Sequence, residues 1–223
     1  RGGVWRYSMG KNMWKFNMNR GHGFQGRDNY GQKYKTKWGK VNLGANIQQG
    51  DYRHRGEQGM FESVGFKLFN MAGMEASNTN FVHFRIIDEG SEEGKLNAAH
   101  SPMTSSGTQY DGDFWGLYLA TEQVDGRFLD EHDLPDGNLY KMEGGSGEIR
   151  TQSPYGVTDN SDLWSFMNAY FKRPNADWWR SSTDIQRYFN YRTIVEGIHQ
   201  YDIAYGKNYY YYLNPETNQW FQL

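Results

Sequence analysis

Apolar and polar residues alternate from residue 14: Trp14, Phe16 and Met18 stand against Lys15 and Asn17. A period of two predicts a half-buried strand. The stretch "RGHGFQGRDNYGQKYKTKWG" that follows is glycine-rich and polar, which predicts a loop or a loose hairpin. "KVNLGANIQQGD" predicts a short strand ending in a turn. In "GMFESVGFKLFNMAGM", Phe61, Val64, Leu68 and Met71 recur at helical spacing, Phe69 widens the stripe, and Gly73 supplies the stop. "NFVHFRIID" returns to alternation, with Val82, Phe84 and Ile86 against His83, Arg85 and Ile87. "FWGLYLATEQV" reads as a second strand. The small, polar and charged residues 89–113 between them predict a hairpin with a long exposed loop.

The pattern changes in the second half. "SDLWSFMNAYFKR" opens on a Ser/Asp cap and predicts a helix. After "STD", Ile185, Tyr188, Phe189, Ile194, Val195 and Ile198 recur at helical intervals and predict another. "NYYYYLNPETNQWFQL" reads as a β-hairpin turning over 214–218. No internal repeat at a solenoid or propeller period is present. The expectation is an α+β chain, strand-rich with one helix up to about residue 125, then helical and ending in a hairpin over about 126–223.

Composition changes this picture in a few places. With 24 basic and 26 acidic residues the net charge is −2, so no global field draws the chain to nucleic acid or to a membrane surface. No run approaches the ~18 apolar residues of a membrane span. The absence of cysteine excludes a disulfide framework, thiolate catalysis and cysteine-based zinc sites. The 17 Tyr, 13 Phe and 8 Trp supply both a core and aromatic faces suited to sugars or proteins. Beginning at Arg1 and ending on Leu223, the chain reads as a segment of a longer one that carries further domains.

Candidate chemistry falls into two sets. Lys15 on a strand, Glu62 on the following helix and Glu122 at a strand end match the kind of lysine and acid that position nucleotide phosphates. By spacing alone, solvated surface charges remain the ordinary reading of Lys15 and Glu62. Asp202 and Asn208 lie in the short polar loop between the last helix and the hairpin. An aspartate there can accept a hydroxyl proton or hold a cation, and the asparagine carbonyl can add an oxygen for Mg²⁺. The same residues also suit a turn capped for conformational reasons. His54, His83, His100, His132 and His199 share no metal-ligand spacing, and the acidic turn at 130–136 is a looser candidate for calcium. No Gly-Lys-Ser/Thr follows the glycine-rich stretches and there is no G-x-S-x-G.

Several stretches, in order, resemble the CotH family, the spore-coat-protein-H-like, atypical kinase-like proteins. They are "GMFESVGFKLFNMAGM", "FVHFRIID", "FWGLYLATEQVDGRFL", "DGNLYKMEGG" and "YDIAYGKNYYYYLNPETNQW". The resemblance implies a bilobal protein-kinase-like fold that binds ATP with Mg²⁺ or Mn²⁺ and phosphorylates Ser or Thr of an unidentified, secreted or cell-surface protein. It places Lys15, with Lys11 as the fallback, at the phosphate-contacting lysine, and Glu62 at the helix acid that pairs with it. "TEQVD", with Glu122 and Gln123, falls at the linker beside the adenine pocket. Asp202 falls at the catalytic-loop aspartate and Asn208 at the metal-holding asparagine. Two departures stand out. Phe61 replaces the Arg that usually precedes the helix acid, and the family's metal-holding "PWDxD"-like segment is expected just beyond Leu223. The competing expectation is a non-catalytic surface or adhesion module on the same scaffold.

Overall fold

Residues 13–46, 60–85 and 114–223 are described by the computed structural model. By contacts, the chain divides into a first unit of residues 1–64 and 77–123 and a second of 65–76 and 124–223.

The first unit holds β1 (Trp14–Asn17), β2 (Lys40–Gly44), β3 (Thr79–Arg85) and β4 (Phe114–Glu122), all antiparallel in the order β1-β2-β4-β3. Strand alternation sorts its residues as the sequence predicts. Trp14, Phe16, Val82 and Phe84 pack with buried Val41, Leu43, Tyr118 and Ala120. Lys15 faces Asn42 across the β1–β2 pair, so both belong to the opposite face. The glycine-rich segment is the predicted loose hairpin, with single bridges Phe24↔Trp38 and Arg27↔Lys33. It serves the core by delivering Trp38, which is 2% exposed and stacked on Tyr34. Gly26 is required there, since a Cβ would stand 2.8 Å from the Trp38 ring. The turn after β2, Ile86, Ile87 and the acidic loop lie outside the described residues.

Helix α1 (Phe61–Met71) forms where predicted and ends at Gly73, whose φ of +75° suits a glycine stop. Its expected stripe is not its buried side: Phe61, Val64, Leu68 and Met71 are exposed. Phe69 packs instead, against Tyr191 with ring centroids 5.6 Å apart. The cause is the chain's exit. Asn70 exchanges hydrogen bonds with the Ala76 backbone at 2.9 and 3.1 Å, folding buried Met74 back on the Phe69 side.

The second unit departs more from expectation. Its hairpin, β7 (Tyr210–Asn214) and β8 (Gln219–Gln222), turns where predicted. It is, however, half of a four-stranded antiparallel sheet ordered β6-β5-β7-β8, with β5 (Asn138–Glu143) and β6 (Ser146–Thr151). Helices α2 (Gly126–Glu131), α3 (Ser161–Phe171), α4 (Ala176–Ser182) and α5 (Ile185–Gly197) accompany it. Of these, α3 and α5 are the predicted pair. Asp125, Asn175 and Asp184 cap α2, α4 and α5 with side-chain acceptors. Asp162, expected as a cap, is turned inward. It accepts from Tyr140 Oη at 2.5 Å, Asn138 Nδ2 at 2.7 Å and the Leu163 backbone N–H at 2.6 Å. Among the described residues no helix is long and apolar enough to cross a membrane.

Candidate functional site

The loop from the end of α5 to β7 is held in an unusual conformation. His199, Tyr205 and Asn208 have φ of 53°, 63° and 62°, and Gly206 has 67°. Left-handed residues other than glycine cost on the order of 1 kcal/mol each and persist where their surroundings fix them. The surroundings here are the β5–β6 turn. Gly145 N–H donates to Gly206 C=O at 2.9 Å, and a Cβ on Gly206 would stand 3.1 Å from Gly145. Asn208 N–H then bonds Met142 C=O at 3.2 Å, which starts the β7 pairing.

This conformation gathers three polar side chains. Asn208 Nδ2 donates to Asp202 Oδ2 at 2.8 Å and to the Asp202 carbonyl at 2.9 Å. Lys207 Nζ lies 3.1 Å from the other oxygen, Oδ1. Asp202 is the middle residue of a single turn of 3₁₀ helix (Tyr201–Ile203), and its side chain is 58% exposed. It is therefore fixed in direction yet open to a ligand. An exposed ion pair adds little stability, so the significance of the arrangement is geometric. Tyr201 and Tyr205 beside it are almost fully exposed. Sequence reasoning reached Asp202 and Asn208 but missed Lys207, whose only signal is its place one residue before Asn208.

In the first unit, Lys15 Nζ donates to Gln123 Oε1 at 2.9 Å, and Asn42 Nδ2 reaches the same oxygen at 3.3 Å. Lys15, Asn42 and Gln123 thus form a polar group on the sheet face away from the aromatic core. Glu122, expected beside them, is 3% exposed and shares the alternation of Tyr118 and Ala120. Its Oε2 accepts from the Asn78 backbone N–H at 3.0 Å, which joins the start of β3 to the end of β4. Glu62 does not pair with Lys15. Its Oε2 overhangs β2, 3.4 Å from where a Cβ on Gly44 would be. The residue is exposed overall, and desolvation of its carboxyl raises it above the ordinary range. Lys11 lies outside the described residues.

No group of three or more His, Asp or Glu among the described residues could hold a metal, and that includes the acidic turn at 130–136. Asp202 has both oxygens engaged. Of these three side chains, Asn208 has an oxygen, Oδ1, outside these contacts that could be offered to a divalent ion.

A family model described as CotH kinase protein matches residues 1–223, and the chain belongs to that family. Membership implies a kinase-like fold on the α+β architecture described above, and suggests ATP, a divalent metal and a protein substrate. No curated protein matches the chain.

Proposed function

We propose that the chain transfers the γ-phosphoryl group of ATP, with a divalent metal, to a Ser or Thr hydroxyl of a protein. The observation that carries this reading is the Asp202–Asn208–Lys207 group in its constrained loop. Phosphoryl transfer asks the protein mainly for positioning and for charge opposite the phosphates. Asp202, held by two partners, orients the acceptor hydroxyl and takes its proton as the oxygen attacks phosphorus. Lys207 sits against Asp202 Oδ1, and its charge would balance charge on the phosphoryl group in transfer. Asn208 Oδ1 would hold the metal, which when bound neutralises phosphate charge. Lys15, steadied by Gln123, is the cation the first unit offers to phosphate. Exposed Tyr201 and Tyr205 suit a protein acceptor, since aromatic side chains give a docking segment contact area at low entropic cost.

The test is transfer of labelled γ-phosphate, from Mg–ATP or Mn–ATP, to Ser/Thr-containing acceptor protein. Asp202→Ala should lower the rate at least on the order of a hundredfold, the contribution typical of a positioned acid–base group. A variant that keeps wild-type transfer removes Asp202 from the reaction.

A further inference from the structure

Charge is shared unevenly along the chain. Of its 24 basic and 26 acidic residues, ten basic and one acidic fall in residues 1–46, which leaves 14 basic and 25 acidic for residues 47–223. Six of those ten stand on the loose hairpin of residues 20–40: Arg20, Arg27, Lys33, Lys35, Lys37 and Lys40. All six are exposed. Along the second arm exposure alternates, with Lys33, Lys35 and Lys37 outside and Tyr34, Thr36 and buried Trp38 inside. The one acid, Asp28, is half-buried and engaged at the tip, where its Oδ1 accepts from the Tyr30 and Gln32 backbone N–H groups at 2.9 and 2.8 Å. Two further bonds fix the hairpin to β3. Tyr34 Oη donates to the Thr79 carbonyl at 2.7 Å, and the Arg27 backbone N–H donates to Asn80 Oδ1 at 2.6 Å. An ordered frame therefore presents the cations, and a partner meets little cost of ordering the backbone. Lys35, Lys37 and Lys40 also have interactions within the chain. An exposed lysine exchanges such contacts for a partner's carboxylate at small cost.

A concentrated positive surface on an otherwise acidic chain favours a short anionic partner. An extended one, such as a membrane plane or a long nucleic acid, also has to approach the negative excess of the remaining residues. Bases would need exposed aromatic faces beside the cations to stack on, and here Phe24, Tyr34 and Trp38 pack into the core. Lysines act as point charges on flexible stems, without the fork that grips phosphate in two places, and that suits carboxylates distributed along a peptide. We propose that this hairpin docks a segment of the protein acceptor rich in Asp and Glu. That the segment belongs to an acceptor rests on the phosphoryl-transfer reading above; that the hairpin binds acidic peptide does not. Docking of this kind raises the local concentration of the acceptor, so it acts on KM and leaves the chemistry to the loop of Asp202.

The experiment uses the full chain and a labelled peptide carrying one serine among Asp and Glu, beside the same peptide with Asn and Gln in their place. Binding is read by fluorescence anisotropy without nucleotide, and transfer is read with Mg–ATP. Lys33→Glu/Lys35→Glu/Lys37→Glu is compared with the wild type and with Lys172→Glu/Arg180→Glu, a reversal of two exposed cations in the second unit. The acidic peptide should bind the wild type, and added salt should weaken it. The hairpin reversal should weaken it on the order of tenfold, as the loss of several exposed pairs would, while the second-unit reversal changes little. In transfer, the hairpin reversal should raise KM for the acidic peptide and leave kcat, and transfer to the uncharged peptide, unchanged. Lys33→Glu alone should give a smaller loss in the same direction, which keeps the test open if the triple variant does not fold. Equal binding of the two peptides, or binding that ignores the reversal in a folded protein, overturns the proposal. So does a wild type that binds no peptide and loses melting temperature on reversal, since the lysines then answer the chain's own acids. Tighter binding of phosphatidylserine vesicles or of a single-stranded oligonucleotide than of the acidic peptide also overturns it. If serine is phosphorylated with a KM indifferent to peptide charge, the inference falls and the phosphoryl-transfer reading stands. If the acidic peptide binds at the hairpin and no peptide is phosphorylated, that reading falls and takes the acceptor role with it, while the peptide-binding surface stands.

Discussion

Asp162 and Glu62 are two carboxylates with opposite surroundings. Asp162 answers three donors with its two oxygens, from Tyr140, Asn138 and the Leu163 backbone. Truncating it leaves those donors in a closed space, and each unsatisfied group costs about 1–3 kcal/mol. Asp162→Ala is therefore expected to destabilise by about 3 kcal/mol in urea unfolding; a loss below about 1 kcal/mol would show that water replaces the carboxylate. Glu62 has the reverse linkage. Its raised carboxyl keeps a proton that the unfolded chain sheds, so stability falls as pH rises from the ordinary carboxylate range through the folded value. Glu62→Gln should flatten that fall, while a pH profile identical to wild type would deny the desolvation. At this scale the sequence was legible where chemistry and turn preference coincide. Asp202 and Asn208 are both turn formers and both polar ligands, so their spacing drew notice. Lys207 looks like any loop lysine in the sequence.

Elements were legible where strong local signals bracket them. Helix α5 has its Asp184 cap, donated to by Arg187 N–H at 3.0 Å, and the hairpin has the Asn214 turn, whose Oδ1 accepts from Glu216 N–H at 2.8 Å. Strand β5 was not legible because it lies between β6 and β7 with Asn138, Leu139, Tyr140 and Met142 all buried. Burial on both faces erases the period-two pattern. Helices α2 and α4, of 6 and 7 residues, are too short for a helical period to show. The α1 stripe misled because helical spacing marks a face without saying whether anything covers it. The packing of α3 on its sheet gives an element-scale prediction. A Cβ on Gly147 of β6 would lie 2.2 Å from Leu163 Cδ2. Gly147→Ala should cost about 1–3 kcal/mol by overpacking, read as a lower melting temperature. An unchanged melting temperature would mean that α3 shifts without penalty.

Across the whole molecule, aromatic side chains run through every core cluster, and this has a spectroscopic consequence. Burial pushes Tyr140, Tyr191, Tyr209, Tyr211 and Tyr212 above the ordinary tyrosine range. The folded protein keeps those phenolic protons where the unfolded chain loses them, so stability falls as pH rises past the ordinary phenol value. Alkaline titration followed by phenolate absorbance should leave these groups silent until the protein unfolds; reversible ionisation of all 17 tyrosines in one step would contradict the packing. The division into two units and the kinase-like family membership together frame the central claim, that the chain handles nucleotide. The most direct measurement is calorimetric titration of ATP into the chain, with and without Mg²⁺, beside Asn208→Ala. The account predicts metal-dependent binding, measurable at millimolar ATP, that falls when Asn208 loses its side-chain oxygen. No heat under either condition, or binding that ignores both metal and Asn208, would contradict it.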